Sequence, residues 1–243
     1  HKRVRPKRPS HSNSPKGRLL MIQLTRRAAL AAFSIVALTA CGTADTKDTQ
    51  EGTLGTSEIA LTDMTLGDAD APITIVEYAS WTCPACLQFH NDVIPMLKAD
   101  YVATGQVKFV FREFPTPPAN ISVAGFALAR CAGEDRYYDA IDDLFAAQNN
   151  VLNLARSGGD IEGALRALAS SYGIEGDNFT DCLSNKDVTY AISESVMKGD
   201  SQGVNSTPTV FLNGEKLQGY DWRTADGMTA LLDAELGVTE PAE

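Results

Sequence analysis

Histidine is scarce in this chain of 243 residues: there are three, and only His90 lies beyond residue 41. A single imidazole leaves a zinc site short of ligands, since structural zinc needs four and catalytic zinc three from the protein. No apolar run approaches the roughly 20 residues that a membrane-crossing helix requires. Acidic residues are missing altogether from positions 1–41, which hold nine of the 21 Lys and Arg, so 12 basic residues face 31 acidic ones from position 42 onward. A nucleic-acid surface needs clustered Lys and Arg, and a body with a balance of about −19 does not offer it. Such a body is instead compatible with a soluble, self-repelling domain. No internal repeat is visible, which excludes a solenoid.

What is present is enough apolar material, 44% of residues, to bury a full core in one or two domains. The basic head divides in two. Residues 1–20, rich in Lys, Arg, Pro and Ser, read as an upstream extension outside the fold and outside the mature protein. From Met21 the pattern changes: Arg26 and Arg27 precede the apolar run Ala28 to Ala37, and Leu38-Thr39-Ala40-Cys41 follows. This is the layout of an export signal over residues 21–40. Thr25-Arg26-Arg27-Ala28-Ala29-Leu30 also fits a twin-arginine signal, although ordinary export signals carry paired arginines too. Leu38-Thr39-Ala40-Cys41 resembles a bacterial lipobox, which makes Cys41 the expected lipidation site; the alternative is simple secretion with Cys41 an odd thiol. Residues 41–57 are polar, without apolar periodicity, as a flexible tether would be.

The body is organised around Ile73 to His90. β-branched residues alternate up to Ser80, whereas Leu87, His90, Ile94 and Leu97 recur at helical spacing. Cys83 and Cys86 therefore stand at a strand-to-helix junction. There the free N–H groups and dipole of the helix stabilise a thiolate at Cys83, and Pro84 suits the first turn. The helix is expected from Pro84 to about Ala99. A second strand, Val107 to Phe114, is stopped by Pro115, Pro117 and Pro118, which makes a strand–helix–strand unit with a crossover long enough for parallel pairing. From Ala119 to about Gly203 the apolar residues keep helical spacing, among them Ile121, Ala124, Leu128 and Cys131, then Leu165 and Leu168, then Phe179, Cys182 and Leu183. Strand vocabulary returns at Thr207 to Leu212, and Asn213-Gly214 signals a hairpin into a return strand Lys216 to Tyr220. Trp222 to Leu236 reads as a last helix, with Asp221 as N-cap and Gly237 as stop.

A Cys-x-x-Cys pair serves as a redox dithiol, as half a zinc site or as a haem attachment. Haem attachment needs His directly after the second Cys, where Leu87 stands, and no second Cys-x-x-Cys completes a zinc site. Redox chemistry is the reading that survives. The element order, with Cys83-Pro84-Ala85-Cys86 at the first helix, Gly67-Asp68-Ala69-Asp70-Ala71-Pro72 before the first strand and Thr207-Pro208-Thr209 before the third, resembles the DsbA-like branch of the thioredoxin superfamily. That branch comprises bacterial thiol-disulfide oxidoreductases that work outside the cytoplasm.

The resemblance implies an α/β thioredoxin-like fold in two parts, residues 58–118 and 204–238, around a helical insertion at 119–203, with a tail at 239–243. It implies that Cys83 attacks or is attacked, that Cys86 resolves the mixed disulfide, and that Trp81, Pro84 and Ala85 belong to the active-site motif. Ala85 brings no charge or donor between the cysteines, which leaves the oxidising strength open. Glu77, six residues before Cys83, matches the family's buried acid and could relay a proton to Cys86; a partly solvated strand-end carboxylate is the alternative. Thr207-Pro208 matches the substrate ledge with a cis proline, although Thr-Pro before a strand also makes an ordinary turn. With Cys41 lipidated and Cys83 pairing with Cys86 by spacing and motif, the remaining Cys131 and Cys182 pair by elimination, two free thiols being the alternative. Such a bridge contributes up to about 4 kcal/mol by the chain-entropy argument. His90 is expected to pack.

No cofactor and no metal is implied. The expected partners are exported proteins with thiols or disulfides, a quinone-coupled membrane protein that reoxidises the dithiol, and a membrane reached through the lipid anchor, with nucleic acid excluded and a monomer expected. Localisation follows as periplasm or cell envelope. A disulfide-donating oxidase is the first reading. A reductase or isomerase of the same fold, to which Thr207 before the proline points, and a non-enzymatic copper-handling lipoprotein using Cys83, Cys86 and His90 are the alternatives.

Overall fold

A computed structural model describes residues 59–238; the export signal, Cys41, the tether and the tail lie outside the described residues. Five strands form one mixed sheet in the order β1-β3-β2-β4-β5. At its centre β2 (Ile73–Ala79) and β3 (Val107–Glu113) run parallel, with Glu77 opposite Phe111. β1 (Met64–Leu66) lies antiparallel on the far side of β3, β4 (Thr209–Leu212) is antiparallel to β2, and β5 (Glu215–Lys216) closes the edge.

Alternation on β2 divides the interior. Ile73, Ile75 and Ala79 enter the large core beneath α1 (Pro84–Asp92), while Tyr78 joins Phe211 and Val204 in a smaller cluster on the opposite face. The crossover from α1 to β3 is not one helix to Ala99. Pro95 has no N–H and its ring clashes with the carbonyl four residues back, so the helix ends at Asp92, a short turn α2 (Ile94–Met96) follows, and Leu97–Val102 widens into a π-helix. Five-residue bonds from Ala103 N–H to the Lys98 carbonyl and from Gln106 N–H to the Tyr101 carbonyl close that segment.

The helical block is α3 (Ala119–Cys131), α4 (Tyr137–Ser157), α5 (Ile161–Ser170), α6 (Asp177–Ser184) and α7 (Lys186–Ser201). Phe126, Leu128, Ile141, Leu144 and Phe145 of this block share one continuous core with β2 and β3. A disulfide joins Cys131 at the end of α3 to Cys182 on α6, with Cα atoms 6.2 Å apart. Deeper still, Glu113 at the end of β3 is fully buried. It takes Arg130 of α3 in a two-pronged ion pair at 2.8 Å and a 2.8 Å hydrogen bond from the Tyr137 hydroxyl. Arg130 also donates to the carbonyls of Ala60 and Thr62, which pins the entering chain to α3.

At the other end, Asn213 (φ 49°) and Gly214 (φ 86°) turn the β4–β5 hairpin in left-handed conformations, the geometry that makes Asn-Gly a hairpin signal. The return strand is shorter than Lys216 to Tyr220, because ladder pairing stops at Lys216 and only Leu217 N–H still reaches Val210. The last helix, α8 (Ala225–Leu236), begins three residues beyond the expected start. Asp221–Arg223 form a separate 3-10 turn, and the N-cap is Thr224, whose hydroxyl accepts from Gly227 N–H at 3.1 Å. Gly237 ends it in a left-handed conformation. No helix of the described residues is long and apolar enough to cross a membrane.

Candidate active site

Cys83 is the N-cap of α1, with extended backbone and Pro84 in the first helical position. Its side chain is therefore free to sit over the exposed N–H groups of the first turn instead of capping them. The thiol is half-buried, Pro84 and Ala85 beside it are exposed, and Cys86, one residue short of a full turn further on, is fully buried. Both cysteines are free, so the dithiol is in its reduced form.

The two sulfurs differ in acidity for reasons visible in the geometry. A hydrogen bond from the Cys86 thiol does most to hold Cys83 down, to about 5, against its partial burial; the Thr207 side chain and the N–H groups of Cys86 and Ala85 add to the effect. Cys86 is pushed well above the usual thiol range by burial first, then by its bond to Cys83 and by the nearby Glu77 carboxylate. Ser80 N–H, 3.5 Å from the Cys86 sulfur, opposes that shift. Glu77, 2% exposed, is raised to about 8 by burial and then by the Cys83 thiolate. Among the described residues no cation pairs with it.

Residues 207 and 208 complete the front of the site. The Thr207–Pro208 peptide is cis, and the Thr207 carbonyl stands 3.5 Å from the Cys83 sulfur. A second cis peptide, Pro117–Pro118, lies before α3 and was not visible in the sequence, where three prolines signalled only a strand stop.

Behind the dithiol, Trp81 of the expected motif and several residues that carry no signal in the sequence hold the loop in place. Trp81 is fully buried, and its indole N–H donates to the Ser122 carbonyl on α3 at 2.9 Å. The indole fits because Gly125 lies against it; a Cβ there would come within 2.4 Å of the indole nitrogen. Ser80 Oγ meets the hydroxyls of Thr82 and Ser122 at 2.9 Å each and accepts from Thr116 N–H. Gln148 of α4, 1% exposed, donates to the carbonyls of Trp81 (2.6 Å) and Cys83 (3.0 Å). Gln148 is 65 residues from Cys83 in the chain, and a lone polar residue on an amphipathic helix carries no signal of such a role.

His90 turns away from the cysteines. Its ring stacks on Phe145 at 4.3 Å, and its Nε2 lies 3.3 Å from Asp142, which also holds Lys98 at 2.6 Å. Against the opposing effect of its burial, hydrogen bonds from His90 and Lys98 keep the Asp142 carboxyl below its ordinary value. No three His, Cys, Asp or Glu side chains of the described residues converge as a metal site.

This arrangement is met elsewhere. The profile of the family described as Thioredoxin matches residues 60–234. The chain belongs to that family. It is 28% identical over 166 residues to a provisionally named protein-disulfide oxidoreductase of Rickettsia bellii, covering 68% of this chain and 62% of that one. With disulfide bond formation protein D of Bacillus subtilis it shares 25% identity over 158 residues, covering 64% and 69%. Among solved structures, alpha-DsbA1 of Wolbachia pipientis superposes with a TM-score of 0.63 at 27% identity, covering 72% of this chain and 91% of that one. These similarities place the chain in the DsbA-like branch. It spans about 60% of the length of the rickettsial relatives it matches first.

Proposed function

We infer that this protein is an extracytoplasmic thiol-disulfide oxidoreductase that donates disulfides to exported proteins. The observation that carries the reading is the placement of Cys83: half-exposed at a helix N-terminus, beside the Thr207 carbonyl and cis Pro208, with buried Cys86 and Glu77 behind it.

The chemistry follows from that placement. In the oxidised protein, a substrate thiolate attacks the Cys83 sulfur. The Cys83–Cys86 bond breaks, and Cys86 leaves as a thiolate, taking a proton from Glu77, whose burial favours the protonated form. A second substrate thiolate then attacks the substrate sulfur of the mixed disulfide and expels Cys83 as a thiolate. Two electrons have passed to the dithiol, and the substrate holds the disulfide. Because Cys83 is a good leaving group, held at about 5, the reduced protein is stabilised and the oxidised one is a disulfide donor. The cis bend at Thr207–Pro208 leaves the Thr207 main chain beside the Cys83 sulfur, which suits a substrate segment laid along it.

A second disulfide, Cys131–Cys182, supports a compartment that is oxidising, since structural bridges persist there. Lipidation at Cys41, recycling by a quinone-coupled membrane protein and a monomeric state complete the reading. The copper-handling alternative has less support, since His90 is occupied by Phe145 and Asp142.

Equilibrating the domain against a glutathione series tests the direction of flow. A Cys83–Cys86 couple more oxidising than the glutathione pool, with oxidation of a dithiol peptide by the isolated protein, is the expected result. A couple near that of thioredoxin, at about −270 mV, would reverse the assignment to a reductase.

A further inference from the structure

Beyond cis Pro208 the chain folds back on itself, and the hairpin β4–β5 and the 3-10 turn Asp221–Arg223 border an open cavity of about 220 Å³. Pro208, Thr209, Lys216, Gln218, Tyr220 and Arg223 line it, and no Asp or Glu does. In a body where acidic residues outnumber basic ones by 31 to 12, a cavity that gathers two cations and no carboxylate is an exception.

Arg112, Arg130 and Arg166 each hold a carboxylate, and Arg136 and Arg156 donate to the Ser171 carbonyl and to Asn153; among the described residues Arg223 ion-pairs with none. Its Nε is buried and without a partner, and the guanidinium lies 4.7 Å from the Tyr220 ring centre and 4.8 Å from that of Trp222. Stacking on aromatic rings fixes the plane of a guanidinium and leaves its N–H fork to accept a ligand, with little side-chain entropy left to lose. Lys216 is oriented as well, through a 3.1 Å bond from Nζ to the Gly203 carbonyl that uses one of its three protons. Tyr220, 73% exposed, forms an apolar wall at the mouth.

We propose that this cavity is a specificity subsite for the carboxylate side chain of an Asp or Glu close to the reacting cysteine of the substrate, bound by Arg223 with help from Lys216. The inference rests on the reading of Cys83 as the exchanging thiol. A peptide attached to Cys83 and laid along Thr207 continues past Ser206 and Pro208, the residues that join the ledge to the cavity. Elsewhere the acidic body repels an acidic substrate, so the pocket discriminates by position: an acid at the right distance from the cysteine is drawn in, and acids at other distances are not.

The test uses short dithiol peptides that carry Glu or Gln at each position from two before to two after the reacting cysteine, oxidised by the full domain. At one position the Glu peptide should show a kcat/KM about tenfold above its Gln counterpart, the scale of one charge-assisted hydrogen bond in a half-open site. Arg223→Gln should bring that ratio to about one, and Arg223→Glu should favour a Lys peptide instead, with both variants oxidising dithiothreitol as fast as wild type. In the wild-type protein, where no variant can confuse the result, the ratio should shrink as salt rises. No Glu preference at any position, a preference that survives Arg223→Gln, or one insensitive to salt overturns the subsite. Failure of the wild-type protein to oxidise dithiothreitol would instead strike the reading of Cys83 itself.

Discussion

Two glutamates are buried on neighbouring strands, and they could hardly be more different. Glu113 on β3 is held by both prongs of Arg130 and by the Tyr137 hydroxyl, and the same arginine ties down the carbonyls of Ala60 and Thr62. Glu77 on β2 ion-pairs with no cation among the described residues, and burial, with the Cys83 thiolate, lifts it to about 8. A carboxylate whose charge is matched is part of the scaffold. One that is buried without a counter-charge keeps its proton to near neutral pH, where it can give it up. The sheet thus carries an ion-paired acid and an unpaired one on adjacent strands.

The largest effect should come from breaking the matched pair. Arg130→Met strands Glu113 in the core, and urea unfolding should show a loss of about 3–5 kcal/mol, while refolded protein keeps its exchange rate with a small dithiol. A loss below about 1 kcal/mol would mean that Glu113 is not the scaffold element described.

Glu77 should behave oppositely. Its folded value of about 8 lies above its ordinary 4.5, so the folded state prefers the protonated form. Stability is then fully present below pH 4.5 and is lost as pH rises through 8. Oxidised wild-type protein, in which burial raises Glu77 without help from a Cys83 thiolate, should lose stability as pH rises above 4.5. Glu77→Gln should remove the slope and also slow resolution by Cys86. Parallel pH–stability curves for the two proteins would show that Glu77 does not hold its proton. The reduced protein should show a weaker slope, because Cys83, depressed to about 5, gains stability over the same range that Glu77 loses it.

The smallest effect sharpens the comparison at the sulfur. Thr207→Val removes one of the donors to Cys83 and should raise its titration midpoint by less than about one unit, read from thiolate absorbance in the ultraviolet. No change would assign the whole depression to Cys86 and the helix N-terminus.

The sequence made Glu77 visible and left Glu113 hidden, for a physical reason. Glu77 interrupts an apolar strand six residues before a cysteine pair, so local pattern marks it. Glu113 sits where a strand meets prolines, an ordinary place for a surface acid, and its partners come from α3 and α4, 17 and 24 residues further along. The same rule sorts the other elements. β2, β3, the Asn213-Gly214 hairpin and the helical block follow from periodicity and turn chemistry. β1, three residues long on the edge, is too short for alternation to register. Pro95 was there to be read as a helix breaker, but the apolar spacing on either side of it masked the break. Ser80, Gln148 and Gly125 act only through contacts between distant segments, which no local pattern records.

Trp81 leans on Gly125 and Ser122, Ser80 shares its hydroxyl bond with Ser122, and Gln148 holds the carbonyls of Trp81 and Cys83. Every one of those partners belongs to the block that interrupts the thioredoxin-like sequence. The block cannot therefore be trimmed away to leave a minimal working enzyme: a shortened chain could retain both cysteines and the proline ledge, yet the loop that aims Cys83 would have lost its back wall.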